Sequence, residues 1–372
     1  MQLIHSKVIY ENPIPHLRSR HGYFPGGTVL PNGDLLVVFS ISEAFESTDA
    51  FPYMMRSWDA GATWTMQGPL YQKPQDAGYS EYLKPLLLKD GRLIATGYRF
   101  YRDDPEQPIC NPVNGGFCPS DLALSVSADN GKTWTISRSI KHPYKEMVES
   151  SGPCIQLRSG RLMGIGALVP AWDGSNPQGA RGVCFTSMDD GNSWDFSFYM
   201  EDEKKGIIPF ESRLCELADG SVIALCWAYS KRQDKNLNNH YCISRDEGKT
   251  WSKPVDTGIA GQASNFLLLE DGRLLTVHSH RADGKGLWVR IVDISDGSWR
   301  IQEELCVYGQ APPPTNGPEG NSNIANQFVS LAYGQPSLLR ISSHEYLVIH
   351  WAVENGQGKI LSHKISSCQA RK

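Results

Sequence analysis

The chain has 372 residues; 20% are charged, 40% belong to the hydrophobic set, 10% are aromatic, and the formal net charge is -4. This composition is typical of a globular protein with enough aromatic bulk to fill cores between sheets. The acidic balance and the lack of a long basic run argue against nucleic acid as a partner. The longest apolar stretches have only about strand length, which argues against a membrane-spanning segment.

The first segment of the chain is a predicted strand. After Met1, the residues from Gln2 to Tyr10 alternate between apolar and polar, and they lack the pattern of a signal peptide. A cytoplasmic location is therefore the default expectation, and export stays open.

The cysteines predict buried thiols rather than a disulfide framework. There are nine of them, an odd number, spread through predicted strands. Cys110 and Cys118 bracket a short loop and are expected to be reduced in the cytoplasm, or joined in a local disulfide if the protein is exported. No spacing resembles a zinc site, so neither a metal nor an organic cofactor is predicted.

Two turn motifs alternate along the chain. The pattern Ser-x-Asp-x-Gly-x-x-Trp, called the Asp box, places a folded-back Asp, a Gly at positive φ and a packed Trp in one turn. It recurs at Ser57–Trp64, Ser127–Trp134, Ser187–Trp194 and Ser244–Trp251, with a shortened copy at Asp293–Trp299. Between the boxes, hairpin turns of the Asp-Gly kind separate apolar strands at Asn32–Gly33, Asp90–Gly91, Ser159–Gly160, Asp219–Gly220 and Asp271–Gly272, with a degenerate sixth at Ser343–His344.

Six hairpins and five boxes predict six four-stranded blades. The numbers agree if the N-terminal strand near Leu3–Tyr10 supplies the fourth strand of the last blade, beside a third strand near Lys359–Ile365. Such closure removes open sheet edges. The predicted fold class is all-β, a six-bladed β-propeller forming a single domain over residues 1–372.

One face of the predicted propeller collects the candidate functional residues. Both kinds of turn lie at one end of each blade, so the opposite end gathers the starts of the first strands and the ends of the second strands. Carboxylates, arginines, histidines and aromatic side chains meet there, a mixture that suits a sugar. The residues predicted to bind substrate are Tyr23, Tyr82, Lys84, Arg99, Trp172, Arg213, Trp227, Tyr229, His280, Arg281, Tyr333 and Gln335. The longest insertion, residues 99–121, falls on this face as a predicted lid or wall.

The Asp boxes and the blade pattern resemble the sialidase (neuraminidase) superfamily over essentially the whole chain. The stretch Glu211–Gly220 is similar to the sialidase segment that carries the catalytic glutamate. The resemblance implies that Glu211 is the buried carboxylate that acts as base to a tyrosine nucleophile in sialidases. It also implies Asp49, in the loop after the second strand of blade 1, as the acid/base aspartate, with Glu43 as a rival.

The chain departs from the sialidase pattern at the residues that bind sialic acid. Sialidases hold its carboxylate with three arginines, the first in an Arg-Ile-Pro motif, where this chain has Tyr23-Phe24-Pro25. The second position falls at Ala228 or Tyr229, with Arg232 as a loose substitute, and Arg281 matches the third. Gln335 stands at the nucleophile position, two residues after Tyr333. Since arginine captures a carboxylate with two hydrogen bonds, these departures argue against sialic acid as the substrate.

A pair of carboxylates remains available for catalysis. Glycosidases mostly use one protonated and one ionised carboxyl group, and exo-acting arabinanases with a similar propeller carry a glutamate pair on this face. Glu149 and Glu211 precede the first strands of adjacent blades and can reach a common pocket. We predict an exo-acting glycoside hydrolase, with Glu211 central and Asp49 or Glu149 as its partner. The molecule that the protein is expected to bind is a carbohydrate substrate. The protein is expected to be a monomer or simple homo-oligomer.

Two other function classes stay open. A polysaccharide lyase abstracts the α-proton of a uronate with His, Tyr and Arg side chains. The candidates for that chemistry are His278, His280, Arg281, His350 and Tyr229. A non-catalytic glycan-binding propeller is the third reading.

Overall fold

Tight turns divide the chain into short antiparallel strands arranged in six sheets. The computed structural model describes residues 1–202, 206–281, 285–309 and 331–367. Each sheet has four or five strands, ordered as they follow in the chain except in the last sheet. Within the described ranges, no helix is long and apolar enough to cross a membrane.

The first strand of the chain is β1 (Gln2–Tyr10), which belongs to the last sheet. Blade 1 consists of β2 (His21–Val29), β3 (Leu35–Ser42), β4 (Phe51–Ser57) and β5 (Thr65–Pro69). Blade 2 consists of β6 (Tyr79–Leu87), β7 (Leu93–Tyr101), β8 (Ser120–Ser127) and β9 (Arg138–Ile140). Blade 3 consists of β10 (Met147–Glu149), β11 (Ile155–Gln156), β12 (Leu162–Val169), β13 (Arg181–Ser187) and β14 (Asp195–Glu201).

The remaining three blades repeat this plan. Blade 4 consists of β15 (Ile207–Glu216), β16 (Val222–Ser230), β17 (Lys235–Asn236), β18 (His240–Ser244) and β19 (Val255–Asp256). Blade 5 consists of β20 (Ser264–Leu268), β21 (Leu274–His280), β22 (Gly286–Asp293) and β23 (Arg300–Tyr308). Blade 6 consists of β24 (Tyr333–Arg340), β25 (Glu345–Glu354) and β26 (Gln357–Ser366), completed by β1.

The first and last described strands meet in blade 6. Strand β1 pairs antiparallel with β26, for example Lys7 with Ser362, and the sheet order is β1-β26-β25-β24. The predicted all-β six-bladed propeller with N-terminal closure is therefore confirmed. Blade 6 also packs on blade 1, since Ile349 and Leu347 share a core with Val37 and Phe39.

The predicted turns have the expected hydrogen bonds. In blade 1, the backbone N–H of Leu30 donates to Asp34 O at 2.8 Å around Gly33, whose φ is 85°. The same bond recurs in the other blades, including the sixth, where Ile341 N–H donates to Glu345 O without a glycine. In the Asp boxes, the Asp129 carboxylate accepts the Thr133 N–H at 2.9 Å. These turns fix the register of each blade.

Close packing between two strands of blade 2 leaves no room for a side chain at one glycine. A Cβ atom added to Gly97 in β7 would lie 1.8 Å from the Tyr82 carbonyl oxygen in β6. We expect Gly97→Ala to lower the free energy of unfolding by about 1–3 kcal/mol or more, as overpacking does. Chemical denaturation with Gly78→Ala as control tests this, because nothing lies within 4 Å of a Cβ at Gly78. Equal stability of the two variants would contradict the prediction.

Candidate functional site

An aromatic-walled cavity opens where the first strands of the blades begin. It comprises about 580 Å³ of space, part of it open to solvent. Its walls are built by loops and strand ends of blades 1 to 4 and blade 6. The lining residues are Phe24, Phe45, Glu46, Tyr82, Tyr98, Phe100, Ile109, Phe117, Glu149, Phe210, Glu211, Trp227, Leu331 and Gln335. We call it the central cavity.

Three of these residues have the same kind of strained backbone conformation. Phe24, Glu211 and Gln335 have φ values of 55°, 49° and 40°, in the left-handed region that favours glycine. Each lies at a bulge in the first strand of its blade, where the register with the second strand shifts. Bulges and backbone strain of this kind re-aim side chains and cluster at functional sites.

Glu149 and Glu211 form a buried pair of carboxyl groups at the cavity wall. The backbone N–H of Glu211 donates to Glu149 Oε2 at 3.1 Å. Burial, followed by the neighbouring charge of Glu211, raises the pKa of Glu149 above its usual value. Among the described residues, no hydrogen-bond donor reaches Glu211 Oε2, although that atom is buried. A ligand donor would satisfy it.

Three basic side chains surround this pair. Lys84 Nζ donates to Gln335 Oε1 at 2.8 Å, and Arg213 donates to Ser151 Oγ at 3.2 Å. Arg281 donates to Gln262 Oε1 at 2.6 Å. Burial lowers the pKa of all three, well below the usual value for Lys84, and the charge of Glu211 acts on each in the opposite direction.

The Lys84 side chain passes directly over blade 1. A Cβ atom at Gly26 would lie 2.7 Å from Lys84 Cβ and Cγ, so only glycine leaves room for this path. Lys84 thus joins blade 2 to Gln335 of blade 6.

The loop between β7 and β8 forms a wall of the central cavity. Its residues Ile109 and Phe117 line the cavity. Phe117 is anchored to the next blade by a hydrogen bond from its N–H to Pro170 O at 2.8 Å. The Ile109 N–H donates to Glu46 Oε2 at 3.2 Å, and burial raises the pKa of Glu46. Cys110 and Cys118 in this loop are both free and buried.

The structure places the predicted site residues in three groups. Five of them line the central cavity: Tyr82, Glu149, Glu211, Trp227 and Gln335. Lys84, Arg213 and Arg281 lie next to the lining residues, as their contacts with Gln335, Glu211 and the Trp227 ring show. The other seven do not line the cavity.

Asp49 is the first of the seven predicted site residues that do not line the central cavity. Its side chain is exposed and accepts a hydrogen bond from the Glu43 N–H at 3.1 Å. Glu46, three residues earlier in the same loop, lines the cavity instead. Glu43 is exposed as well.

Tyrosine, tryptophan and histidine side chains account for five more corrections. Tyr23 is buried against Phe45 and Trp351. Tyr333 turns its hydroxyl to backbone groups, accepting from Gly286 N–H at 3.0 Å. The remaining three have other contacts: His280 bonds Arg290, Trp172 packs against the aromatic cluster, and Tyr229 bonds Asp234 and lines a neighbouring pocket instead.

The histidines considered for lyase chemistry lie inside the blades. His278 and His350 are fully buried, bonded to Asn239 and His363 respectively. None of the candidate histidines lines the central cavity. The geometry therefore gives no support to a histidine-based proton abstraction there.

Arg99 is the last correction, because it is a structural residue. Its Nε donates to Glu81 Oε1 at 2.8 Å, and the side chains are 7% and 0% exposed. Breaking a buried ion pair leaves an uncompensated charge, so we expect Arg99→Met to lower the free energy of unfolding by about 3–5 kcal/mol. The exposed Arg92, paired with Asp90, is the control, and Arg92→Met should cost no more than about 1 kcal/mol. Normal stability of Arg99→Met in chemical denaturation would show that the pair is dispensable.

Sequence reasoning missed Glu46 as a lining residue, together with Phe45, Phe100, Phe117 and Phe210. Glu46 follows Phe45 in a loop with acidic residues at every third position, and that apolar neighbour was the available signal. Among the residues that the structure describes, His, Cys, Asp and Glu side chains form no group of three that could hold a metal ion.

The fold and the Asp-box turns define a six-bladed β-propeller of the BNR-repeat kind. Residues 108–307, more than half of the chain, match the model of the BNR repeat-like domain, and the chain belongs to that family. No curated protein matches the sequence.

Solved structures share this fold at low identity. A protein of unknown function from Dyadobacter fermentans is 20% identical, with a TM-score of 0.76 and coverage of 99% of both chains. A Hadza microbial sialidase is 16% identical, with a TM-score of 0.69 over 97% of this chain and 68% of that one. The intramolecular trans-sialidase from Ruminococcus gnavus is 15% identical, with a TM-score of 0.65 and coverage of 98% of both. At these identities the likeness concerns the fold.

Proposed function

We propose that the protein is an exo-acting glycoside hydrolase that releases a terminal sugar from a glycan, with Glu149 and Glu211 as its catalytic carboxyl groups. The observation that carries the proposal is the contact of these two buried residues at the wall of an aromatic cavity. Paired carboxyl groups in different environments are the usual equipment of glycosidases.

The surroundings assign a role to each carboxyl group. Burial and the Glu211 charge raise the pKa of Glu149, so Glu149 keeps a proton for the leaving oxygen. Glu211 interacts with the charges of Lys84, Arg213 and Arg281 and serves as the nucleophile or base. Glu46 lines the same cavity from blade 1 and binds a substrate hydroxyl.

The cavity lining favours an uncharged terminal sugar. Aromatic side chains such as Tyr82, Tyr98 and Trp227 provide faces on which a sugar ring stacks. Within the described part of the chain, no lysine or arginine lines the cavity itself. The lining itself therefore offers no bidentate partner to a sialic acid or uronate carboxylate, although Arg213 and Arg281 lie next to it.

A substrate screen tests the proposal. Purified protein is incubated with aryl sialosides, uronides, arabinosides and hexosides and with the matching oligosaccharides, with the double variant Glu149→Gln/Glu211→Gln as the blank. We expect release of a neutral monosaccharide by the wild type alone. Glycan binding without turnover would point to a binding module. Products with the ultraviolet absorbance of an unsaturated uronate would point to a lyase.

A further inference from the structure

A second pocket adjoins the central cavity on the same face. It comprises about 590 Å³, part of it open to solvent, between the β7–β8 loop and the end of β16. Phe117 and Phe210 line both spaces and thus lie at their boundary. We call this second space the outer pocket.

Several contacts hold the walls of the outer pocket in place. Asn114 donates from Nδ2 to Trp172 O at 3.2 Å and accepts the Gly116 N–H at 2.8 Å, which fixes the tip of the loop. On the other side, Asp234 accepts the Tyr229 hydroxyl while its backbone has a φ of 49°. A non-glycine residue keeps this conformation only where its surroundings impose it.

The lining of the outer pocket combines an apolar floor with a polar rim. Phe117, Phe210 and Ile208 are buried, whereas Asn114, Lys231 and Asp234 are exposed. Ring faces together with amide, ammonium and carboxylate groups suit a molecule with one flat apolar face and several hydroxyls. A pyranose or furanose ring has that chemistry.

We infer that the outer pocket binds the second sugar of the substrate, the one that leaves when the terminal sugar is cleaved. The inference rests on the proposed function and makes it more specific. With the terminal sugar in the central cavity, the bond to be cleaved crosses the boundary formed by Phe117 and Phe210. The substrate class is then an oligosaccharide of two or more units rather than a simple glycoside.

Binding measurements separate this inference from catalysis. Isothermal titration calorimetry on the Glu211→Gln protein compares arabinobiose, lactose, a digalacturonide and sialyllactose, each with its terminal monosaccharide. We expect at least one neutral disaccharide to bind about tenfold or more tightly than its monosaccharide. Lys231→Ala should lower the affinity for that disaccharide about 3- to 10-fold more than for the monosaccharide, which corresponds to one hydrogen bond. Val113→Trp, which places a ring on the exposed loop lining the pocket, should abolish the gain.

The control is Lys235→Ala, since Lys235 is exposed in the same segment but lies outside the pocket lining. This variant should keep the disaccharide gain. A gain that survives both Lys231→Ala and Val113→Trp would overturn the inference, as would a panel in which no disaccharide binds more tightly than its monosaccharide. Lack of turnover by the wild type would instead count against the proposed function, because these titrations need no turnover.

Discussion

Glu211→Gln is expected to lower kcat for the best substrate on the order of 10⁴-fold or more, the scale seen when a nucleophile or its base is removed. The amide keeps the size of the side chain but loses the charge that faces Lys84, Arg213 and Arg281. Initial-rate kinetics on the purified variant, with circular dichroism as a check of folding, give the measurement.

Glu216→Gln is the matched control for this variant. Glu216 lies on the same strand, β15, at the end that carries the turns, where it is 3.8 Å from Arg158. Its replacement should change kcat by less than about twofold, because the residue is remote from the central cavity. If Glu211→Gln retained more than a tenth of the wild-type rate, Glu211 would not be a catalytic residue. If the wild type retains the anomeric configuration, rescue of Glu211→Ala by azide with formation of the inverted glycosyl azide would identify Glu211 as the nucleophile.

Glu149→Ala should give the second-largest effect, and the effect should depend on the leaving group. Loss of a general acid lowers the rate about 10²- to 10⁴-fold. Hydrolysis of an oligosaccharide needs protonation of the leaving oxygen, so its rate should fall by this full factor. Dinitrophenolate leaves without a proton, so hydrolysis of a dinitrophenyl glycoside should lose little of its rate. Equal losses with both substrates would contradict the role of Glu149 as the acid.

The pH dependence offers an independent check of the same role. Because burial and Glu211 raise the pKa of Glu149 above its ordinary value of 4.5, its proton persists to a higher pH than that of an exposed carboxyl. In the wild type, kcat/KM for an oligosaccharide should fall as the pH rises through this raised pKa. In Glu149→Ala, the remaining activity on the dinitrophenyl glycoside should lack that alkaline limb. Persistence of the limb would assign it to another group.

The blade architecture can be predicted from the sequence because two turn motifs recur in phase. Each motif has a local cause in turn chemistry, so it is visible without knowledge of the tertiary structure. Counting back from the turn glycines reaches Tyr82 and Glu211, since β-strands have a fixed rise per residue. Both residues line the central cavity. The N-terminal closure follows from the count of turns alone.

Side-chain direction near the strand ends is harder to predict. Tyr98 and Phe100 line the cavity, whereas Arg99 between them points to Glu81 on the other side of β7. The alternation of side chains along a strand shows that neighbouring residues face opposite sides of the sheet, but packing decides which of them faces the cavity. In the loop after β3, Glu43, Glu46 and Asp49 follow no strand period. The path of the loop, fixed by contacts such as that between Ile109 and Glu46, selects one of them.

The pairing of β1 with β26 makes closure of the ring depend on two segments that are far apart in the sequence. During synthesis β1 emerges well before β26, and the partners Lys7 and Ser362 can meet only after all six blades have emerged. Such distant pairing is slow to form, and until then β1 has no sheet to join. A nascent chain that stops before β26 leaves an open ring with unpaired strand edges, which favour aggregation. Chaperones and proteases would therefore distinguish chains interrupted before β26 from chains with a closed ring by this single missing strand.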